Sequence, residues 1–204
     1  VTLLTLWDEH TLLCCSRWQG LLLLDLKTGK YNPPPFDCGK EIMNIFIDSQ
    51  KRIWVAPYNG GLNCLTRDGK LLATYTTRNS SLSNNVVLSL AEREGQIWIG
   101  TDGGGINILD PETGQFSLLE HIPGRDNYSL PANSILCLYN DRNNNMWAGS
   151  IRNGLISIRE VSMKTYKDVL PGNDRGLSNS TVLSLFQESE NRIWIGTVSY
   201  THLR

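Results

Sequence analysis

The chain has 204 residues, a formal net charge of −1 and 40% hydrophobic residues, so it is long enough to bury a sizeable core. Its 19 basic and 20 acidic residues form no polybasic run, which excludes the usual kind of nucleic-acid patch. No apolar run approaches the roughly 18 residues of a membrane-spanning helix. The five cysteines lack metal-ligand spacing and a paired framework, so neither a zinc site nor a disulfide scaffold is predicted.

Short apolar segments rich in β-branched residues alternate with turn residues along the chain, and each such segment is predicted as a strand. The first strands are predicted over residues 1–7, 12–16 and 21–26, followed by a short outer strand that begins at Tyr31. The same four-strand rhythm starts again near Ile42, Val86, Ile135 and Val182. No segment keeps a 3.6-residue period, so helix is expected to be minor.

The clearest copy of this unit is residues 97–110, which contain two predicted strands joined by a glycine-rich hairpin. Gly103–Gly105 can supply the positive φ angles that a tight turn requires. Ile97 and Ile99 point to one face of their strand and Trp98 to the other, so both faces are apolar. A sheet of this kind must therefore pack between two neighbours.

Four tryptophans mark successive copies of the unit, separated by 44, 49 and 47 residues: Trp54, Trp98, Trp147 and Trp194. They are predicted to pack between sheets rather than to hold a ligand. An acidic residue stands six positions before each one and is expected to bond turn amides: Asp48, Glu92, Asp141 and Glu188. A small residue two positions after each one would let neighbouring sheets approach closely: Ala56, Gly100, Gly149 and Gly196.

Repeats of four antiparallel strands, roughly 40 to 50 residues each, indicate a β-propeller. The predicted fold class is all-β: an incomplete β-propeller with about four four-stranded blades and the start of a fifth, taken from a seven-bladed ring. A β-solenoid is the alternative fold, although its repeats are shorter. The partial propeller is predicted over residues 1–197, with units at 1–40, 41–85, 86–133, 134–180 and 181–197. Residues 198–204 break the pattern and are interpreted as a non-native tail.

Trp98–Asn107 and Asp110–Phe116 resemble the two-component regulator propeller repeat, as do the linkers Ser81–Val86 and Gly176–Val182. The resemblance covers nearly all of residues 1–197. It implies the extracytoplasmic sensor region of a hybrid histidine kinase of the Bacteroidetes type, in which propellers precede a β-sandwich, a membrane helix and a kinase. It further implies a periplasmic location, a homodimeric full-length protein, and detection of glycan breakdown products that switch on utilisation genes. Similar repeats precede cyclic-dinucleotide synthases, so the output stays open.

A candidate ligand face follows from the antiparallel order of the strands, which places the middle hairpins and the linkers between units on one side. Aromatic rings stack on the apolar faces of sugars, while amides and charges bond the hydroxyls. An oligosaccharide-binding face is therefore predicted from Arg17, Trp18, Tyr58, Asn59, Asp102, Asn127, Tyr128 and Arg152. The alternative is that each is an ordinary solvated turn residue.

Catalytic and metal sites have no candidates in the sequence. Gly103–Gly105 lies between two strands rather than before a helix, so it is no phosphate loop. Asp141, Asn143 and Asn145 begin like a calcium loop, but Met146 replaces the required glycine, so a β-turn is predicted. No cofactor is predicted, and this segment is not expected to be an enzyme.

Three functions remain open at this point. The first is a ligand-sensing module of a membrane-spanning regulator that detects oligosaccharides. The alternatives are a protein-interaction or dimerisation scaffold and a carbohydrate-active enzyme propeller. The expected partners within the same chain are the remaining blades, the downstream β-sandwich and the kinase, and this segment is not expected to contact nucleic acid or membrane.

Overall fold

The computed structural model describes residues 3–16, 20–36, 41–124, 129–159, 162–167, 176–189 and 192–198. These ranges contain strands, turns and bends and no α-helix. Accordingly, the described part of the chain has no helix long and apolar enough to cross a membrane. The all-β fold class expected from the sequence is confirmed.

Within these ranges, eighteen strands form four four-stranded sheets and one two-stranded sheet, and the strands of each sheet follow chain order. We name the sheets blades 1 to 5. Blade 1 contains β1 (Leu3–Asp8), β2 (Thr11–Ser16), β3 (Gly20–Asp25) and β4 (Tyr31–Asn32). Blade 2 contains β5 (Ile42–Ile47), β6 (Ile53–Pro57), β7 (Leu62–Leu65) and β8 (Leu71–Tyr75). Blade 3 contains β9 (Val87–Arg93), β10 (Gln96–Thr101), β11 (Ile106–Leu109) and β12 (Phe116–Leu119).

The last two blades continue the same order. Blade 4 contains β13 (Ile135–Asn140), β14 (Met146–Ser150), β15 (Leu155–Arg159) and β16 (Ser162–Tyr166), and blade 5 contains β17 (Val182–Ser189) and β18 (Arg192–Thr197). The first strands of blades 2, 4 and 5 share an irregular register near their starts, after Ile42, Ile135 and Val182. This recurrence shows that the blades are copies of one antiparallel design. The predicted β-propeller architecture is confirmed.

The chain divides into two compact units, Val1–Leu90 and Ala91–Arg204, and the division falls within β9. In the first unit, blades 1 and 2 share a core that includes Leu13, Ile42, Ile53 and Val55. In the second unit, blades 3 and 4 share a core that includes Trp98, Ile106, Ile135, Met146 and Ile156. Each fully buried aliphatic side chain stabilises its unit by about 1.5–3 kcal/mol. The predicted single domain over residues 1–197 and its unit boundaries stay predictions.

The central strands pack on both faces, as the alternation of their residues predicts. In β10, Ile97 and Ile99 are fully buried on one side and Trp98 is 5% exposed on the other. The small residue of blade 4 explains how close neighbouring sheets come. A Cβ added to Gly149 would lie 2.7 Å from Cγ1 of Val182, which belongs to the first strand of blade 5. Glycine is therefore required where β14 meets β17.

The four repeat tryptophans do not share one environment. Trp54 is fully buried and Trp98 is 5% exposed, whereas Trp147 is half-buried. Trp194 departs from the expected core packing, since 58% of its surface is exposed. It lies opposite Phe186 in the β17–β18 pair, and that residue is also exposed. Among the described residues no further sheet covers this face of blade 5, so its indole meets solvent.

Candidate ligand-binding face

The middle hairpin of a blade connects its second and third strands, and in blades 2, 3 and 4 it ends at a glycine with positive φ. The φ angles of Gly61, Gly105 and Gly154 are 74°, 74° and 76°. A Cβ on any of the three would collide with a backbone carbonyl oxygen of the fourth strand, from Tyr75, Leu119 and Tyr166 respectively. Both the left-handed backbone and the close carbonyl exclude a side chain.

The same three glycines tie their hairpins to the linkers between blades. The amide of Gly61 donates to the carbonyl of Asn85 at 3.0 Å, and that of Gly105 donates to Asn133 at 2.8 Å. The amide of Gly154 donates to the carbonyl of Ser180 at 2.6 Å. Each hairpin therefore meets the linker that leads to the next blade, which is the arrangement the strand order predicts.

The polar side chains of the linkers mostly bond backbone groups. Oδ1 of Asn85 accepts from the amide of Thr77 at 2.9 Å, and Oδ1 of Asn133 accepts from the amide of His121 at 2.6 Å. Leu82 and Leu130 anchor the same linkers by burying their side chains. These asparagines hold the linkers in place, so the side chains offered to a ligand come mainly from the hairpins.

In the first unit, Tyr58 and Asn59 occupy the exposed tip of the blade 2 hairpin. Tyr58 is 56% exposed, and its amide donates to the carbonyl of Glu41 at 2.7 Å. Asn59 is exposed and has a φ of 51°. The backbone of the tip is thus fixed while the phenol ring and the amide face solvent.

In the second unit, Asp102 and Arg152 occupy the exposed tips of the hairpins of blades 3 and 4. The hydroxyl of Ser134 donates to Oδ1 of Asp102 at 2.8 Å, and the carbonyl of Ser134 accepts from the amide of Ile151 at 3.0 Å. A single linker residue therefore contacts both hairpins. This places Asp102 and Arg152 on either side of the linker at Ser134.

Arg152 has a left-handed backbone, with a φ of 66°. The corresponding residue of blade 3 is Gly103, whose φ is 83°, and glycine adopts this conformation without cost. A side chain there costs about 1–2 kcal/mol. An exposed arginine at a strained position is a candidate functional residue, because such strain concentrates at binding sites.

The other predicted residues of the face, Arg17, Trp18, Asn127 and Tyr128, lie outside the described residues. Tyr58 and Asn59 belong to the first compact unit, and Asp102 and Arg152 belong to the second. Within its unit, each described residue is at the tip of a middle hairpin, as predicted. Their role in binding stays a prediction.

In blades 2 and 4 the acid six residues before the repeat tryptophan bonds the indole, which the sequence reasoning missed. Oδ2 of Asp48 accepts from Nε1 of Trp54 at 2.8 Å, and Oδ2 of Asp141 accepts from Nε1 of Trp147 at 2.8 Å. Their other oxygens accept turn amides as predicted, including the amide of Arg52 at 2.8 Å. The six-residue spacing could have indicated this bond, because it places the acid at the start of a turn and the tryptophan on the strand that follows the turn.

The environment of Asp141 favours its charged form. Burial alone would raise its pKa, but the hydrogen bonds from the Trp147 indole and from Asn145 and Asn143 outweigh that effect and lower the pKa. The corresponding acid of blade 5, Glu188, lies within strand β17 and bonds side chains. Its Oε2 accepts from the Trp194 indole at 3.3 Å.

The described residues include no cluster of three or more His, Cys, Asp or Glu that could hold a metal ion. Two of the strand cysteines are unreactive in character, because burial raises the pKa of Cys64 to about 11 and that of Cys137 to about 12. A thiol with such a pKa is almost entirely protonated at neutral pH and is a poor nucleophile.

Three segments of the chain match the family model of the two component regulator propeller: residues 81–103, 129–152 and 176–199. Each of these segments is similar to a two component regulator propeller repeat. Each of the first two matched segments starts in a linker and ends in the next middle hairpin, so it includes both parts of the candidate face. A comparison with curated proteins found no match.

Solved structures show the same architecture. The extracellular domain of BT3049 from B. thetaiotaomicron, assigned as a hybrid two component system, is 22% identical with a TM-score of 0.73, over 97% of this chain and 25% of that one. The extracellular domain of BT4673 from B. thetaiotaomicron, assigned as a one component system, is 28% identical with a TM-score of 0.71, over 95% of this chain and 26% of that one. The WD40 β-propeller domain of Doa1 is 15% identical with a TM-score of 0.65, over 95% of this chain and 59% of that one.

The chain thus spans about a quarter of the two B. thetaiotaomicron domains. Its fold and its three matched segments are similar to those of propeller domains in two component regulators. The two B. thetaiotaomicron neighbours are extracellular domains, which is consistent with an extracytoplasmic location.

Proposed function

We propose that this segment is part of an oligosaccharide sensor that controls gene expression through a membrane-spanning two-component regulator. Its solvent-exposed hairpin tips carry a tyrosine, an asparagine, an aspartate and an arginine: Tyr58, Asn59, Asp102 and Arg152. These are the groups that stack on sugar rings and bond hydroxyls. The single observation that carries the proposal is Arg152, which is exposed on a strained backbone where the neighbouring repeat has glycine.

The proposed ligand is an oligosaccharide with acidic groups. A guanidinium binds carboxylates and sulfates through paired hydrogen bonds. Arginine at residue 152 is strained where glycine would not be, and this cost is compensated if the arginine contributes to ligand binding. On the same face, the Asp102 carboxylate would accept hydrogen bonds from sugar hydroxyls, as it already does from the hydroxyl of Ser134.

The proposed full-length protein is a periplasmic sensor region joined to a histidine kinase across the inner membrane. The remaining blades and a downstream β-sandwich would be its partners in the same chain, and two copies would act as a homodimer. This proposal is supported by the family match and by the 28% identity to the extracellular domain of BT4673, which is also described as a hybrid two component system. No step of catalysis is assigned to the propeller.

The test is glycan binding by the complete extracytoplasmic region, measured by calorimetry against neutral and acidic oligosaccharides. We expect alanine at Arg17, Trp18, Tyr58 and Arg152 to weaken binding at least 100-fold, since each stacked ring or charged contact contributes about 1–3 kcal/mol. The matched control is Tyr31→Ala. Tyr31 is also a largely exposed tyrosine, but it lies on the outer strand β4.

The control variant should bind as the wild type does. Equal affinity of the wild type and the fourfold variant for every glycan that binds would reject the face. Binding of neutral sugars alone, with no preference for acidic ones, would reject the role given to Arg152.

A scaffold function is the second candidate, and one observation favours it. Leu71 and Leu72 of the outer strand β8 each expose about half of their surface. Exposed apolar residues on an outer strand are typical of interaction surfaces. Replacing both by Ser and measuring the mass and the glycan binding of the complete extracytoplasmic region would separate the two functions. Loss of the dimer, with no glycan bound by either the wild type or the variant, would favour a scaffold, whereas glycan binding by both would favour a sensor.

A further inference from the structure

Blade 3 lacks the carboxylate that blades 2 and 4 place beside their tryptophans. The first strands of these blades each begin with a buried aliphatic residue: Ile42, Val87 and Ile135. Six residues later stand Asp48 and Asp141 in blades 2 and 4, but Arg93 in blade 3. The turn between β9 and β10 contains only Glu94 and Gly95, whereas its counterparts in blades 2 and 4 span residues 48–52 and 141–145. Glu92, although six before Trp98, therefore lies inside strand β9.

Because arginine stands where the other two blades have aspartate, two buried hydrogen-bond donors lack an acceptor. Nε1 of Trp98 and Nε of Arg93 are buried and have no hydrogen-bond partner among the described residues. The guanidinium carbon of Arg93 lies 5.9 Å from the centre of the Trp98 ring, so the two side chains are neighbours. An unpaired buried donor costs about 1–3 kcal/mol. In blades 2 and 4 the carboxylates of Asp48 and Asp141 satisfy the corresponding indoles.

The charged neighbours of this place are engaged elsewhere. Oε1 of Glu94 accepts from Nδ2 of Asn144 at 2.5 Å, and the carbonyl of Glu92 accepts from Nδ2 of Asn140 at 3.0 Å. Both bonds hold the end of blade 3 against blade 4. The two glutamates lower the affinity for an anion because like charges repel, so a weak, millimolar site is expected.

We propose that Arg93 and Trp98 form a binding site for a small free carboxylate. One of its oxygens would accept from the indole Nε1 and the other from the guanidinium, in the place where Asp48 and Asp141 put their own carboxylates. The flat two-oxygen group matches the arginine donors. The site is near the β9–β10 turn, at the opposite end of β10 from the middle hairpin, so it is independent of the oligosaccharide face.

The test is titration of the 204-residue chain with sodium acetate, followed by the indole N–H signals in proton–nitrogen correlation spectra. Sodium chloride at equal ionic strength is the salt control, and Trp98→Phe identifies the signal. We expect acetate, but not chloride, to move the Trp98 signal with saturation at tens of millimolar, on the order expected for a millimolar Kd. The Trp54 signal should stay in place, since its N–H already donates to Asp48.

Two variants complete the test. Arg93→Asp supplies the carboxylate from the chain itself, so we expect it to move the Trp98 signal without acetate and to abolish the acetate response. Arg93→Gln removes the charge and should weaken the acetate response at least tenfold while the other indole signals stay in place. An identical response to acetate and chloride, or an unchanged response in Arg93→Gln, would overturn the proposal and leave the donors to a buried water.

Discussion

At the scale of single residues, the acids of the first turns connect two elements of a blade. Asp141 accepts from the amides of Asn143 and Asn145 in its own turn and from the indole of Trp147 on the next strand. Asp48 makes the corresponding bonds in blade 2. One carboxylate therefore fixes both the turn and the orientation of the tryptophan behind it.

Asp141→Asn should destabilise the chain by about 2 kcal/mol at pH 7, because its NH₂ group cannot accept from the Trp147 indole. The free energy of unfolding by urea is the measurement. The pKa of Asp141 is lowered in the folded state, so its contribution is present above the unfolded pKa and is lost as pH falls through the lower folded value. The wild type and the variant should therefore converge in stability in acid, below about pH 4.

Asp110→Asn is the matched control for this change. Asp110 also accepts turn amides, from Glu112 and Thr113, but it bonds no indole. Its loss should cost less, about 0.5–1 kcal/mol. Equal losses in the two variants would show that the indole bond contributes nothing.

The sequence predicted these turn bonds but not the indole bonds. Six-residue spacing shows that an acid lies near a turn, whereas the pairing of Trp54 with Phe46 and Trp147 with Tyr139 decides what the acid meets. Counting back from Trp98 also selected Glu92, because spacing along the chain does not reveal a shortened turn. The strand start at Val87, known only from the structure, identifies Arg93 instead.

At the scale of elements, each middle hairpin ends at a glycine that both its backbone conformation and its close contact with the fourth strand require. Gly105 has a φ of 74°, and its Cβ would collide with the carbonyl oxygen of Leu119. Gly114 has a similar φ of 71°, but a Cβ there would meet nothing within 4 Å. The two positions separate backbone strain from steric collision.

Gly105→Ala is expected to destabilise the chain by about 3 kcal/mol or more, since the new methyl group must displace a strand backbone. Gly114→Ala should cost only the strain of the left-handed conformation, about 1 kcal/mol. Urea unfolding of both variants gives the difference. If Gly105→Ala cost no more than Gly114→Ala, the hairpin would not press on β12 as the structure shows.

Most elements could be predicted from the sequence, because alternating apolar residues and turn residues specify short strands directly. The predicted strand over residues 12–16 agrees with β2 to within one residue. The alternation of apolar and polar residues does not specify which sheet, if any, packs against a given face of a strand. Trp194 has the same pattern as Trp54, yet one is exposed and the other fully buried, because burial depends on the next sheet.

At the scale of the whole molecule, the outermost sheets expose apolar faces. Leu4 and Leu6 of β1 are exposed in the first unit, and Leu183, Phe186 and Trp194 are exposed in blade 5. In stacked repeats each apolar face is buried against the neighbouring repeat, so an uncovered apolar face is a surface for association. These exposed apolar faces are an aggregation hazard for the isolated chain.

The central claim is that repeated blades are joined by bonds between middle hairpins and linkers. Amide hydrogen exchange, followed residue by residue in nuclear magnetic resonance spectra, tests it most directly. The amides of Gly61, Gly105 and Gly154 should exchange at least 100-fold more slowly than that of exposed Gly103, since each donates to a linker carbonyl. Exchange of all four amides at one fast rate would contradict the account, because the hairpins and linkers would then not meet.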